Sequence, residues 1–235
     1  MPLWTCEQCG AQFPESDTPP SACLICEDER QFVNWKGQRW LTREELAKAH
    51  KVVWRDDLGV TGIGLEPSFA IGQRALLLRE SDGCVMWDCI PLATAEAVDH
   101  VRSLGGLKAI AVSHPHFYGA VADWSEAFGA PVYLHADDRQ WVTRPHPSIV
   151  GWTGERARIS DDIVLVRAGG HFAGAAVLHW GKGAGGKGAI FTGDIAMVAM
   201  DRRSVSFMYS FPNLIPLNAA AVRRAQSLAF GPQTQ

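Results

Sequence analysis

Ala109-Ile110-Ala111-Val112-Ser113-His114-Pro115-His116-Phe117-Tyr118-Gly119 is the stretch on which the reading of this chain turns. Its first four residues form an apolar run of the kind that makes a buried strand, and the run ends in His-x-His. Side chains two apart in extended backbone share a face, so the rings of His114 and His116 can reach one cation. Two later segments, Gly169-Gly170-His171 and Thr192-Gly193-Asp194, also stand at the ends of strand-like runs. Three imidazoles and one carboxylate suit a catalytic zinc or iron site that keeps a position open for water.

The 235 residues suffice for one sizeable core and a small appendage. Twenty-two Lys and Arg stand against 25 Asp and Glu, a formal net charge of −3. That balance offers no electrostatic footprint for nucleic acid or an anionic membrane surface. No apolar run approaches the roughly 20 residues of a transmembrane helix. Met1-Pro2-Leu3-Trp4-Thr5-Cys6 has no basic patch before an apolar stretch and does not read as a signal peptide. The expected compartment is a reducing cytoplasm, where cysteines serve as metal ligands more often than as disulfides.

Four of the six cysteines fall as Cys6-x-x-Cys9 and Cys23-x-x-Cys26. A two-residue gap lets both thiolates of one turn grip an ion, and two such knuckles make a closed, structural four-cysteine site. Two disulfides are the bland alternative. A rubredoxin-like iron site shares the spacing, so the metal's identity is less fixed than its presence. Residues 1–35 are too few for a core of their own, which gives a metal staple its physical purpose. Cys84 and Cys89 lack ligand spacing and read as small buried hydrophobes.

Thr42-x-x-Glu45 is a capping-box pattern, so a helix through about residue 50 is expected to join this module to the main domain. The expected organisation is a four-cysteine module over 1–35, a linker helix over 36–50 and one domain over 51–235. Strands are expected at 51–55, 60–65, 75–79, 84–88, 108–112, 131–135, 163–167, 175–180 and 188–192. Helices are expected at 94–104, 120–128 and 136–142, with a last one capped by Asn218. The Gly- and Lys-rich segment 181–187 lacks P-loop spacing and reads as a hairpin turn. Residues 205–208 read as a last short strand. His135, beside Asp137 and Asp138, reads as a surface residue, and Tyr209 as a residue near the cleft mouth.

Taken in order, Asp88 at a strand end, His114-x-His116, Gly-Gly-His171 and Gly193-Asp194 resemble the metallo-β-lactamase fold superfamily over about 53–230. The resemblance implies an α+β fold, an αββα sandwich with the metal at one edge of two sheets. It implies that His114, His116 and His171 hold a metal, that Asp194 binds or bridges, and that Asp88 orients a ligand. The four-cysteine module looks like an appended zinc ribbon. The superfamily's usual run is His-x-His-x-Asp-His, but Tyr118 and Gly119 occupy its last two places, and no histidine follows His179. A second metal would keep only Asp194, so the site is expected to be mononuclear.

The expected activity is a metal-dependent hydrolase using a metal-bound hydroxide on an ester, thioester or lactone. The expected cofactors are a structural zinc at Cys6, Cys9, Cys23 and Cys26 and one cleft metal, zinc before iron. Asp194 is the candidate base. Tyr118, a phenol with an ordinary pKa near 10, would donate a hydrogen bond to a developing oxyanion instead. The expected partner is a small-molecule substrate, with no nucleic acid and no membrane. Two alternatives stand beside this reading. One is a metal- or partner-binding protein with weakened catalysis, and the other is a mononuclear iron oxygenase acting on a thiol.

Overall fold

Alternation along the strands builds this molecule in layers. The computed structural model describes residues 1–231. Leu107–Ala111 lies inside a seven-stranded sheet ordered Lys51–Asp57, Val60–Glu66, Ala75–Glu80, Gly83–Trp87, Leu107–Ala111, Val132–His135, Ile149–Trp152. The first four strands pair antiparallel, and from Gly83–Trp87 onward the pairing is parallel. A second sheet, ordered Arg156–Arg158, Ile163–Arg167, Ala176–Trp180, Ala189–Phe191, is antiparallel throughout.

Val85, Trp87, Ala109 and Ala111 point between the sheets, where they pack on Ile163, Leu165, Ala176 and Leu178. Their neighbours Cys84, Met86, Ile110 and Val112 point the other way, onto the helices Ala95–Ser103 and Val121–Phe128. On the far side, Val166 and Val177 pack against Ala225 and Ala229 of the C-terminal helical segment. The order helix, sheet, sheet, helix is the αββα sandwich that the sequence led one to expect. Parallel strands flanked by crossover helices present their carboxyl ends on one edge, and the loops after them gather there.

The local signals hold at the caps. Thr42 and Glu45 form both halves of the capping box. Thr94 and Asn218 accept from the backbone N–H groups of Ala97 and Ala221. Gly129 closes its helix at φ +65°, a conformation costly for a side chain with a Cβ. The 181–187 segment reverses the chain between paired strands, with Trp180 opposite Ala189.

Other elements differ from expectation. Ile149–Trp152 and Arg156–Arg158 are strands although neither carries a clean apolar alternation. Residues 205–208 split, with Val205–Ser206 pairing to Met197–Val198 and Met208–Ser210 to Ile215–Pro216. Trp40–Thr42, in the expected linker, pairs with Trp4–Cys6 and closes the cysteine module. Among the described residues no helix is long and apolar enough to cross a membrane.

Trp124 is fully buried at the centre of the helix layer and stacks on Phe128. Trp124→Ala should cost about 3–5 kcal/mol by the cavity it leaves. Urea unfolding should show a lower midpoint with an unchanged slope. An unchanged midpoint would mean the layer is packed differently.

Candidate metal centre

Two groups of potential ligands converge. Cys6, Cys9, Cys23 and Cys26 are buried, and their sulfur atoms lie within 4.8 Å of one another. Cys6 Sγ to Cys26 Sγ and Cys9 Sγ to Cys23 Sγ are both 3.5 Å. A tetrahedral ion with metal–sulfur bonds of about 2.3 Å sets sulfurs ~3.8 Å apart, so the cage is metal-sized. All six cysteines are free in this structure. In each knuckle a backbone N–H reaches back to the first cysteine's carbonyl, Gly10 to Cys6 and Glu27 to Cys23. Gln38 Nε2 donates to Cys6 Sγ at 3.1 Å. Hydrogen bonding from Cys23 and Cys26 holds the Cys6 thiol low, while the neighbouring thiols, Cys23 first, raise Cys9 and Cys26. A bound cation is what would let all four ionise together.

The second group is His114, His116, His171 and Asp194. Asp194 Oδ2 lies 3.4 Å from His114 Nε2, 3.9 Å from His116 Nδ1 and 3.9 Å from His171 Nε2. His171 Nε2 is 3.5 Å from His116 Nδ1. A tetrahedron around an ion with ligand bonds of about 2.0–2.2 Å has edges of about 3.3–3.6 Å, which the two shorter separations match and the two of 3.9 Å slightly exceed. The three imidazoles are buried, and Asp194 alone is part-exposed, at 27% of its side chain. His114 Nε2 and His116 Nε2 have no hydrogen-bond partner among the described residues.

The outward-facing groups are supported. Ser113 Oγ is 2.8 Å from His114 Nδ1, and His171 Nδ1 donates to the Met208 carbonyl at 3.1 Å. Such contacts fix which ring nitrogen is left for a metal. Asp88, at φ +62°, turns its carboxylate back to accept from the Ser113 backbone N–H at 2.8 Å. Gly193 makes the two loops' approach possible. It sits at φ +50°, and a Cβ there would stand 2.5 Å from Ser113 Oγ.

Burial dominates the electrostatics. It pushes His116 down to about 4 and His171 to about 2, with Asp194 opposing in both. Burial also works to raise Asp194, but the imidazoles, His114 first, hold its carboxyl well below the usual range. Neutral rings beside an ionised carboxylate form the protonation state a divalent metal binds. Burial raises Asp88 to about 7 against the pull of His114.

No protein-family model matches the chain. YmaE of Bacillus subtilis (strain 168) is 47% identical over 225 residues, which cover 94% of this chain and 82% of YmaE. The chain belongs to the family of YmaE. Among solved structures, TTHA1623 in a di-iron-bound form is 21% identical over 75% of this chain and 84% of its own, with a TM-score of 0.48. An N-acyl homoserine lactone hydrolase with its product at the catalytic metal centre is 18% identical over 67% and 75%, with a TM-score of 0.47. The overlap with a subclass B3 metallo-β-lactamase from a soil metagenome library is shorter, 58% of that chain.

In this YmaE relative Tyr118 is not among the residues that line the cleft beside Asp194. Its ring is buried among core residues, beside a small cavity shared with Leu134, Val142 and Ile149. Asp194 instead faces a separate cleft of about 600 Å³. Gly119, at φ +22°, is closely packed: a Cβ there would stand 3.1 Å from the Ile90 carbonyl. His135, expected at the surface, is buried, as is Asp138. His135 Nε2 pairs with the Gly154 carbonyl, and Asp138 accepts from the Gly174 N–H, where a Cβ would not fit. The supporting partners Ser113, Gln73 and Arg30 escaped sequence reasoning. Ser113 adjoins His114 and was open to notice, whereas Gln73 and Arg30 carry no local signal.

Gly193→Ala should force the two loops apart. Its expected effect is a loss of about 1–3 kcal/mol of stability. Cleft metal affinity should fall with it, read by competition with a chelator. Unchanged metal affinity would show that the Gly193 contact does not set Asp194's place.

Proposed function

We propose that this chain is a metal-dependent hydrolase whose cleft holds one ion, zinc before iron. The observation that carries the reading is the cluster itself: three buried imidazoles converge on one part-exposed carboxylate, with the outward-facing Nδ1 atoms of His114 and His171 supported and four candidate ligand atoms gathered in one place. His114 Nε2, His116 Nδ1, His171 Nε2 and Asp194 Oδ2 would hold it. A metal there supplies Lewis acidity, drawing the pKa of a water toward ~7 and polarising a carbonyl.

The chain's own residues do the rest. Burial keeps the His116 and His171 rings neutral, so no proton competes for their lone pairs. Asp194, the member of the cluster that reaches the cleft, accepts and passes on the proton of the attacking water. Phe32, Ile71, Phe117, Met197 and Phe211 line the cleft and exclude water around an acyl group. The substrate class that suits this wall is an ester, thioester or lactone with an apolar acyl part. A single ion fits Tyr118 and Gly119, which offer neither a carboxylate nor an imidazole to a second.

Esters, thioesters and lactones of short and medium acyl length should be tested on the metal-loaded chain and on a metal-stripped control. At least one class should be hydrolysed by the loaded chain alone. Asp194→Asn should keep most of the metal and lose activity by on the order of 10²-fold or more. His171→Ala should lose the cleft metal. Full activity in Asp194→Asn on a confirmed substrate would remove Asp194 as the base. A loaded chain inert across the panel would favour the binding-protein reading.

A further inference from the structure

The cysteine module does more than pack beside the cleft. Its polypeptide is bonded to the backbone of two of the three cleft histidines. The first bond runs through Gln73, which is buried. The Gln73 Nε2 group donates to the Cys9 carbonyl at 2.6 Å and to the His116 carbonyl at 3.1 Å. One amide thus ties a residue of the four-cysteine cage to a residue of the cleft cluster. Gly10 makes room for it: at φ +76°, a Cβ there would meet Gln73 Nε2 at 2.9 Å.

The second bond runs through Arg30, four residues beyond Cys26. Arg30 Nη1 donates to the His171 carbonyl at 3.2 Å. Its other edge is held by Asp28, with Nη2 donating to Oδ2 at 2.7 Å and Nε to Oδ1. The guanidinium lies 3.9 Å over the ring of Phe172. Phe172 in turn touches all three imidazoles, with ring centroids 5.7 Å from His114, 5.0 Å from His116 and 5.3 Å from His171. A planar, forked cation can serve a carboxylate, a carbonyl and an aromatic face at once, which an ammonium cannot.

The same segment is fixed from its other side. Ser210 Oγ donates to the Arg30 carbonyl at 3.0 Å, and Asn213 Nδ2 to the carbonyls of Glu29 and Gln31. Residues 29–31 therefore lie between the His171 loop and the loop whose Met208 carbonyl receives His171 Nδ1.

We propose that the four-cysteine module is the positioning element of the cleft site, and that Gln73 and Arg30 couple metal binding at the two sites. The proposal rests on the metal reading of the histidine cluster and does not depend on hydrolysis. Removing either bridge frees a ligand's backbone while leaving every ligand atom in the chain. Contacts one step behind metal ligands are typically worth about 10–100-fold in affinity.

The test uses the full chain with its four-cysteine site loaded with zinc and Co(II) titrated into the cleft against a chelator. Gln73→Met and Arg30→Met keep most of the volume of each side chain and remove its donors. Each should weaken cleft Co(II) binding about 10-fold and alter the cobalt d–d spectrum, which a role confined to stability would not move. Gln73→Glu, which faces a carboxylate toward two carbonyls, should weaken it further. Asn34→Ala, in the same module but with its side-chain amide bonded to Gln8, should leave the affinity unchanged. Wild-type affinity and spectrum in both Met variants would overturn the coupling, as would an equal loss in Asn34→Ala. A wild-type cleft that takes no cobalt would sink the metal reading itself, and the coupling with it.

Discussion

Three imidazoles are held out of water around one carboxylate, with the Nε2 atoms of His114 and His116 left without a hydrogen-bond partner among the described residues, and the fold is arranged around that constraint. Burying a polar atom without a partner costs on the order of 1–3 kcal/mol in protein measurements. Burial alone carries His116 and His171 well below the range in which they would be charged. Around the centre the protein is careful, with Ser113, the Met208 carbonyl and Asp88 all bonded. The convergence of three supported, buried rings on one carboxylate is what a candidate ligand set shows and histidines that merely pack do not.

The architecture delivers the four side chains from distant parts of the chain. His114 and His116 follow a strand inside the large sheet, whereas His171 and Asp194 follow strands of the small one. Bringing the two sheets' loops within bonding reach demands small residues at the crossing. Gly193 meets Ser113 there, as Gly174 meets His135 and Asp138 nearby. At Gly119 the demand is reversed, since the Ile90 carbonyl fills the space a side chain would need.

The ligands were legible because they are local signals. His-x-His at the end of an apolar run and two Cys-x-x-Cys pairs show their geometry in their spacing. The layers were legible for the same reason, since Val85 to Trp87 and Ala109 to Val112 alternate. What escaped depends on distance or direction. Tyr118 was read by the chemistry of its phenol, but its position in the chain does not say that the ring turns into the core. His135 looked like a surface residue because the Gly154 carbonyl that pairs with its ring is 19 positions away. Gln73 lies 64 residues from Cys9 and 43 from His116, so its bridge exists only in three dimensions. Ile149–Trp152 is a strand by virtue of the partner it pairs with, and its own residues give little hint of it.

The central claim is that the histidine cluster is a metal site. Anomalous diffraction from crystals of the metal-loaded protein, recorded across the metal's absorption edge, addresses it directly. The account predicts one peak in the cleft, about 2.0–2.2 Å from His114 Nε2, His116 Nδ1, His171 Nε2 and Asp194 Oδ2, and one within the four cysteine sulfurs. A cleft without a peak in crystals whose four-cysteine site is filled would contradict it.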